Sequence, residues 1–427
     1  MKTAAGYLRF ASVLLAGVML ACGTSDTKPA CRFETHPRPV LEAIGVSSSW
    51  DPQLAVDTAG GLYLFAVYDE NSKERLGLVK SEDGGDTFAP TVVPISGADV
   101  SIVSQGEQSP KVAMTRAEIY ALWQETADDG SGRIMLARSL TWGESFEKPV
   151  QVSDQGARGY RGFASIGVAP NGDVYAVWLD ERDNSNPDQE TSSVYLAKSV
   201  DRGATFGHNV RVADHACPCC RPSLAFGPHG ELFVAWRRVF SGEIRDMAVS
   251  TSRDGGQTFA DTVRVHDDDW KLSGCPDSGA ALAESNGNLY IAWMTEGKEA
   301  KPRIQFSRSA DGARSFSEPR DISPNVLDSN HPMLATESDG TVWLVFQGRA
   351  PSADGSWNKA QGYVVQIDSR GNPSMPAVVP GSENSISYPT LALGSGGRMF
   401  LAWTQPDGNR QTVMLSRGRT QRWASGQ

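Results

Sequence analysis

An eight-residue phrase recurs along this chain and constrains its fold more than any other feature. Ser81-Glu-Asp83-Gly-Gly85-Asp-Thr87-Phe88 returns as Ser199-Val-Asp201-Arg-Gly203-Ala-Thr205-Phe206 and as Ser252-Arg-Asp254-Gly-Gly256-Gln-Thr258-Phe259. Weaker copies occupy 309–316 and 139–146. A second repeat is interleaved with the first. A Gly- or Asn-rich turn leads into an alternating apolar strand that often ends in Trp: 62–68, 119–123, 174–178, 232–236, 289–293, 342–346 and 399–403. Units of this size cannot bury an apolar face alone and must pack against their neighbours.

Each unit reads as four short strands separated by turn signals. One unit shows all four, at 222–226, 232–236, 247–252 and 261–265, with the eight-residue phrase turning between the last two. The spacing predicts an all-β chain: a seven-bladed β-propeller of four-stranded antiparallel blades. The last unit has strands at 389–393, 399–403 and 413–416 but no room for a fourth. The segment 39–46 is expected to supply it and close the ring, leaving no exposed sheet edge. The recurrent phrase itself reads as turn chemistry. Short Asp and Ser side chains bond nearby N–H groups, and Gly takes the left-handed angles.

The first residues stand outside this pattern. Lys2 and Arg9 precede an apolar run from Phe10 to Ala21, which meets Met19-Leu20-Ala21-Cys22. That is the layout of a secretory signal. A small residue before Cys resembles a lipobox, which implies cleavage before Cys22 and lipidation of its thiol. The expected organisation is a signal at 1–21, a tether at 22–37, the propeller at 38–418 and a tail at 419–427. The expected location is the cell envelope, lipid-anchored, at the outer membrane. The net charge of −10 becomes −12 without Lys2 and Arg9. An acidic chain with no basic run excludes nucleic acid as the expected partner, and membrane contact is expected only through the lipid.

Strand alternation places a site. The turns before the first strands all fall on the face opposite the recurrent phrase. Five first strands begin with Pro52, Pro110, Pro222, Pro332 and Pro389. Aligned on these, the residues at the axis are Asp51, Ser109, Phe163, Arg221, Gly279, His331 and Tyr388. Two positions earlier stand Arg161, Cys219 and Asp277. The ends of the second strands add Arg182 and Arg237 to this face. Loops so placed commonly carry function.

Four cysteines share the face: Cys217, Cys219, Cys220 and Cys275. Cys217-Pro-Cys219-Cys220-Arg221-Pro222 aligns with Cys275-Pro-Asp277-Ser-Gly279-Ala280, so Cys217 and Cys275 are equivalent in successive units. A Cys217–Cys275 staple, another pairing such as Cys219–Cys275, and a metal site all fit. Thiolates with His215 or His331 nearby suit copper(I) or zinc(II).

The S-x-D-x-G-x-[ST]-F phrase resembles the Asp-box (BNR repeat) of the sialidase superfamily over about residues 38–418. The Cys-Pro-Cys-Cys-Arg segment resembles an atypical subgroup of it. Members have six blades, so a six-bladed ring is the alternative. The resemblance implies Arg161, Arg221 and Arg182 or Arg237 as a carboxylate clamp, since guanidinium forks match carboxylates. It implies Tyr388 as nucleophile and Asp51 or Asp277 as acid/base; His331, from its place in the axial ring, is expected among the substrate-binding residues. The expected function is binding of acidic glycans at the axial face and, if the protein is an enzyme, sialidase-like exo-glycosidase hydrolysis. No cofactor is required for that reading. The alternatives are a copper- or zinc-binding or redox envelope protein built on the cysteines, and a scaffold for an envelope protein partner. The chain is expected to be a monomer.

Overall fold

The computed structural model describes residues 31–34, 36–97, 100–127, 129–156, 159–184, 191–353 and 358–420. The signal-like segment and Cys22 lie outside the described residues. Among the described residues the chain is all-β apart from four single 3-10 turns, and no helix is long and apolar enough to cross a membrane.

The antiparallel strands form six sheets. Five are small. One holds Ser49–Val56, Leu62–Glu70, Lys73–Ser81 and Val93–Pro94. The second is built around Ile119–Thr126 and Gly132–Ser139. Two more start at Ala281–Ser285 and Leu327–Thr336. The last joins Ser387–Gly394, Arg398–Asp407 and Arg410–Thr420 to the N-terminal strands Cys31–Phe33 and Arg38–Pro39.

The expectation of seven separate four-stranded blades, or of six, is corrected here. Five small sheets in a propeller arrangement accompany one eight-stranded, half-barrel-like sheet running from Arg161–Val168 to Val263–Arg264. The physical reason lies in one strand. Outer strands elsewhere are two or three residues long, as at Val93–Pro94 and Arg320–Asp321. Val210–Ala216 instead runs for seven residues and reaches the next unit, where Ala216 pairs with Arg238 and the Cys217 N–H donates to the Arg237 carbonyl at 2.8 Å. Two units thereby become one sheet. The strand expected at 39–46 is also displaced. Cys31–Phe33 pairs with Gly418–Thr420 and Arg38–Pro39 with Met414–Leu415, whereas Glu42–Ile44 is a 3-10 turn. Residues expected in the tether and the tail therefore belong to this sheet.

Second strands read as nearly continuous apolar runs because both their faces are covered. Alternate residues serve different neighbours. Tyr63, Phe65 and Val67 pack with Ile119, Ala121 and Trp123 of the second sheet, while Leu62, Leu64 and Ala66 pack with Phe400, Ala402 and Leu415 of the last. Trp123, Trp178, Trp236, Trp293, Trp343 and Trp403 are all fully buried, Trp236 between the two halves of the eight-stranded sheet and the others between sheets.

The recurrent phrase forms tight turns far from the axis. The Ser81 hydroxyl donates to Asp83 and accepts from the Gly85 N–H (2.8 and 2.7 Å), and Asp83 accepts the Thr87 N–H and hydroxyl (2.8 and 2.6 Å). The turns at Asp201 and Asp311 repeat this pattern. The Ser, Asp and Thr side chains at the first, third and seventh positions of the phrase are engaged in holding their own turn.

Candidate functional site

First strands carry an irregularity where they meet the axis. Their register shifts between Trp50 and Gln53, Gly162 and Ser165, Asn330 and Met333, and Ser387 and Thr390. Inside each shift sits a non-glycine residue in the left-handed region: Asp51 (φ 51°), Phe163 (54°), His331 (50°) and Tyr388 (50°). Asp277 (φ 45°) joins them from the loop ahead of Ala281. Bulges re-aim side chains, and a left-handed non-glycine residue costs about 1–3 kcal/mol, which marks sites under functional constraint.

Two of these residues, His331 and Tyr388, line one cavity of about 230 Å³, together with Glu107, Lys111 and Arg221. Glu107 is at its centre and is 3% exposed. Its Oε1 lies 2.9 Å from His331 Nδ1 and its Oε2 3.4 Å from Arg221 Nη2. Arg221 Nη1 also donates to the Glu107 carbonyl at 3.0 Å. Burial pushes the Glu107 carboxyl up, but Arg221, His331 and Lys111 together overcome it and hold the group at about 2. The His331 ring lies 4.4 Å, centroid to centroid, from that of Tyr388. The Tyr388 hydroxyl donates to Asp277 Oδ2 at 3.4 Å. A Cβ on Gly106 (φ 64°) would stand 2.6 Å from the Tyr388 oxygen and 3.0 Å from Asp277 Oδ2, so glycine lets the turn before Glu107 close on that pair.

Two groups are moved toward neutrality. Burial and the adjacent Arg221 pull the Lys111 ammonium down to about 7, against the pull of Glu107 and Asp51. Burial and the Glu107 charge push Asp277 up to about 6. Burial also pushes Tyr388 well above the ordinary tyrosine value. Asp51 is raised by burial, partly offset by the Ser104 hydroxyl, which donates to its Oδ2 at 2.6 Å, and by Lys111 and Arg221. The cavity therefore offers cations for an anionic ligand and proton donors and acceptors poised near neutral pH.

Of the residues expected from sequence, Arg221, His331, Tyr388, Asp277 and Asp51 are brought together. The other arginines are not. Arg161 is buried against Asp180 (3.6 Å) and the Gly132 carbonyl (2.8 Å). Arg182 bridges Asp154 and Asp180 at 2.9 and 2.6 Å. Arg237 is buried among the carbonyls of Arg245, Ser278 and Met294. Glu107 and Lys111 were missed. Glu107 stands two residues before Ser109, the offset that picks out Arg161, Cys219 and Asp277 in other units, so the same alignment extended by one unit finds it.

The cysteines adjoin this site. Cys219 and Cys275 form a disulfide with a Cα–Cα separation of 6.1 Å, which corrects the Cys217–Cys275 staple. Cys217 and Cys220 are buried free thiols beside it. The Cys220 thiol donates to Cys217, and with Arg237 and Arg245 nearby this outweighs burial and holds Cys217 at about 6.

No protein-family model matches the chain, and no curated protein matches it. Solved structures do. A protein of unknown function from Dyadobacter fermentans is 13% identical with a TM-score of 0.54, over 92% of this chain and 100% of that one. A polysaccharide lyase, Uly1, is 11% identical with a TM-score of 0.53, over 88% and 91% of the two chains. A microbial sialidase, Hz136, is 17% identical with a TM-score of 0.49, over 70% of this chain and 63% of the sialidase. The chain thus shares its fold with the Dyadobacter protein and with polysaccharide lyases.

Proposed function

We propose that the axial cavity binds an acidic glycan through a uronate carboxylate and cleaves it by β-elimination. The observation that carries this reading is the convergence of Arg221, Lys111 and Tyr388 on one cavity, with Asp277 hydrogen-bonded to the Tyr388 hydroxyl. A hydrolase resembling sialidases would need a cluster of arginines on the carboxylate. Arg161, Arg182 and Arg237 are each engaged elsewhere, so that clamp is reduced to Arg221. Elimination needs less. One cation offsets the carboxylate charge and acidifies the carbon beside it. A base removes that carbon's proton, and an acid protonates the departing oxygen.

In this reading Arg221 neutralises the uronate. Lys111, unprotonated above about 7, takes the proton. Tyr388 keeps its phenolic proton well above neutral pH and gives it to the leaving oxygen, with Asp277 orienting the hydroxyl. Glu107 fixes Arg221 and His331 and touches no substrate. Two of the structures that share the fold are described as ulvan and polysaccharide lyases, one bound to a glucuronate-containing sugar, which supports the elimination chemistry over hydrolysis. The signal-like N-terminus supports an envelope location, where external polysaccharides are within reach.

The test is product mass. Incubation with a panel of uronate polysaccharides and sialosides should give uronate fragments one water lighter than hydrolysis products, with the ultraviolet absorbance of an unsaturated ring. Fragments carrying the added water would return the activity to hydrolysis. Neither cleavage nor binding of any acidic glycan would overturn the reading.

A further inference from the structure

Four cysteine sulfurs meet where the 217–220 loop touches residue 275. We propose that Cys217, Cys219, Cys220 and Cys275 form a thiolate site for one soft cation, zinc(II) or copper(I), which locks together the two loops that carry Arg221 and Asp277.

Spacing is the first support. The sulfurs of Cys217 and Cys219, Cys219 and Cys220, and Cys220 and Cys217 are 3.8, 3.9 and 3.7 Å apart. Thiolates bound at about 2.3 Å around a tetrahedral ion stand about 3.8 Å from one another. Three cysteines within four residues, all buried, already present one face of such a tetrahedron. Cys275 reaches the same point from the neighbouring loop.

Charge is the second. Arg237 and Arg245 are each 1% exposed. Arg245 Nη1 donates to Cys217 Sγ at 3.1 Å, while its Nη2 pairs with Glu243 Oε2 at 3.3 Å. Arg237 gives its N–H groups to three carbonyls, and among the described residues no carboxylate pairs with it. A guanidinium so buried calls for an anion close by. The cysteine sulfurs are in that place. A tetrathiolate around a divalent ion carries two negative charges, and a trithiolate around copper(I) the same; Arg237, and Arg245 where it faces Cys217, offset part of that charge.

The disulfide and the ion are alternative states of Cys219. In the disulfide, Cys219 and Cys275 have no thiolate to offer, and only Cys217 and Cys220 remain. A dithiol reductant passes two electrons and two protons to the Cys219–Cys275 bond and becomes a disulfide itself. All the cysteine thiols that bind the ion, Cys217 and Cys220 included, then lose their remaining protons to solvent as it binds. Cys220 directly precedes Arg221, and Cys275 stands two residues before Asp277. An ion held between these loops fixes the spacing of both groups across the cavity.

The experiment uses the full chain, reduced with a dithiol, freed of it under argon and offered zinc(II) or copper(I) in separate arms. Elemental mass spectrometry should find one ion per chain in at least one arm, and the arm that loads identifies the metal. Oxidation with glutathione disulfide beforehand should abolish uptake. Cys217→Ser and Cys220→Ser should each lose the ion. Should a buried serine unfold the chain, by circular dichroism, Cys275→Ser at the exposed edge carries the same test. Cobalt(II) substitution should give the thiolate-to-metal absorption of a sulfur-rich site. Reduced chain that takes up no ion in either arm, or uptake that survives these substitutions, overturns the proposal.

Discussion

Replacing Glu107 by glutamine removes the charge at the centre of the axial cluster and keeps its shape. The carboxylate touches His331 Nδ1 at 2.9 Å and Arg221 Nη2 at 3.4 Å and is almost wholly buried. Its partners hold it at about 2 rather than the ordinary 4.5. That difference corresponds to ~3 kcal/mol favouring the ionised native form. Because the folded value is depressed, this stability is present above about 4.5 and is lost as pH falls toward about 2. Glu107→Gln should therefore cost about 3 kcal/mol at neutral pH, consistent with removing one partner of a buried pair. The gap to the parent protein should close progressively in acid. Urea unfolding at a series of pH values measures it, provided the slope with denaturant is unchanged. A gap under about 0.5 kcal/mol at neutral pH, the size of an ordinary surface substitution, would refute the argument. So would a gap that does not shrink in acid.

Other outcomes follow from the same geometry. If Lys111 is the base, kcat/KM on a uronate polymer should rise with pH through about 7 and then level, since the ammonium must lose its proton to act. Lys111→Arg should lower kcat by at least about 100-fold while leaving binding in place; unchanged kcat would assign the base elsewhere. Trp236→Ala should cost ~3–5 kcal/mol in chemical unfolding, because the indole fills the space between the two halves of the eight-stranded sheet and its loss leaves a cavity. Asp83→Ala removes the acceptor for the Thr87 N–H and hydroxyl at an exposed turn. It should lower the melting temperature in calorimetry slightly and leave glycan cleavage untouched; a loss of activity would mean that the turn does more than hold itself.

Much of the fold was legible because strand alternation and turn chemistry are local. The Trp-ending second strands, the turns at Asp83, Asp201, Asp254 and Asp311, and the axial placement of His331 and Tyr388 follow from residues a few positions apart. Sheet continuity is not local. Nothing in the alternation of Val210–Ala216 distinguishes a strand that ends its unit from one that runs into the next, so the eight-stranded sheet could not be read. The N-terminal strand that completes the last sheet was misplaced for a related reason: Val40 and Leu41 are apolar and buried and the Val40 N–H still reaches the Val413 carbonyl, yet they lead into a 3-10 turn, and most of the pairing lies before them. At the site, sequence placed arginines on a face but could not show which were already paired. Arg161 and Arg182 are drawn to Asp180, which they share.

The left-handed residues at the axis show that the site is held against the preference of the fold. Asp51 makes the case testable. It is buried, and burial raises its carboxyl. An acid with a raised native value loses stability as pH climbs from the ordinary 3.8 through that raised value, because the unfolded chain ionises first. Asparagine tolerates the left-handed backbone as well as aspartate does, can accept the same Ser104 hydroxyl, and carries no charge. Asp51→Asn should thus stabilise the protein by about 1 kcal/mol at neutral pH, with the gain vanishing in acid below about 3.8. The same change should alter chemistry. Asp51 raises the Lys111 ammonium, so its removal lets Lys111 fall below about 7. The midpoint of the pH–rate profile should then move toward acid. A more stable variant with a shifted profile would mean that the native residue is kept for the protonation of Lys111 at the expense of the fold. A profile that stays in place, or moves toward base, would separate Asp51 from Lys111 and remove the reason for a strained, buried carboxylate at this position.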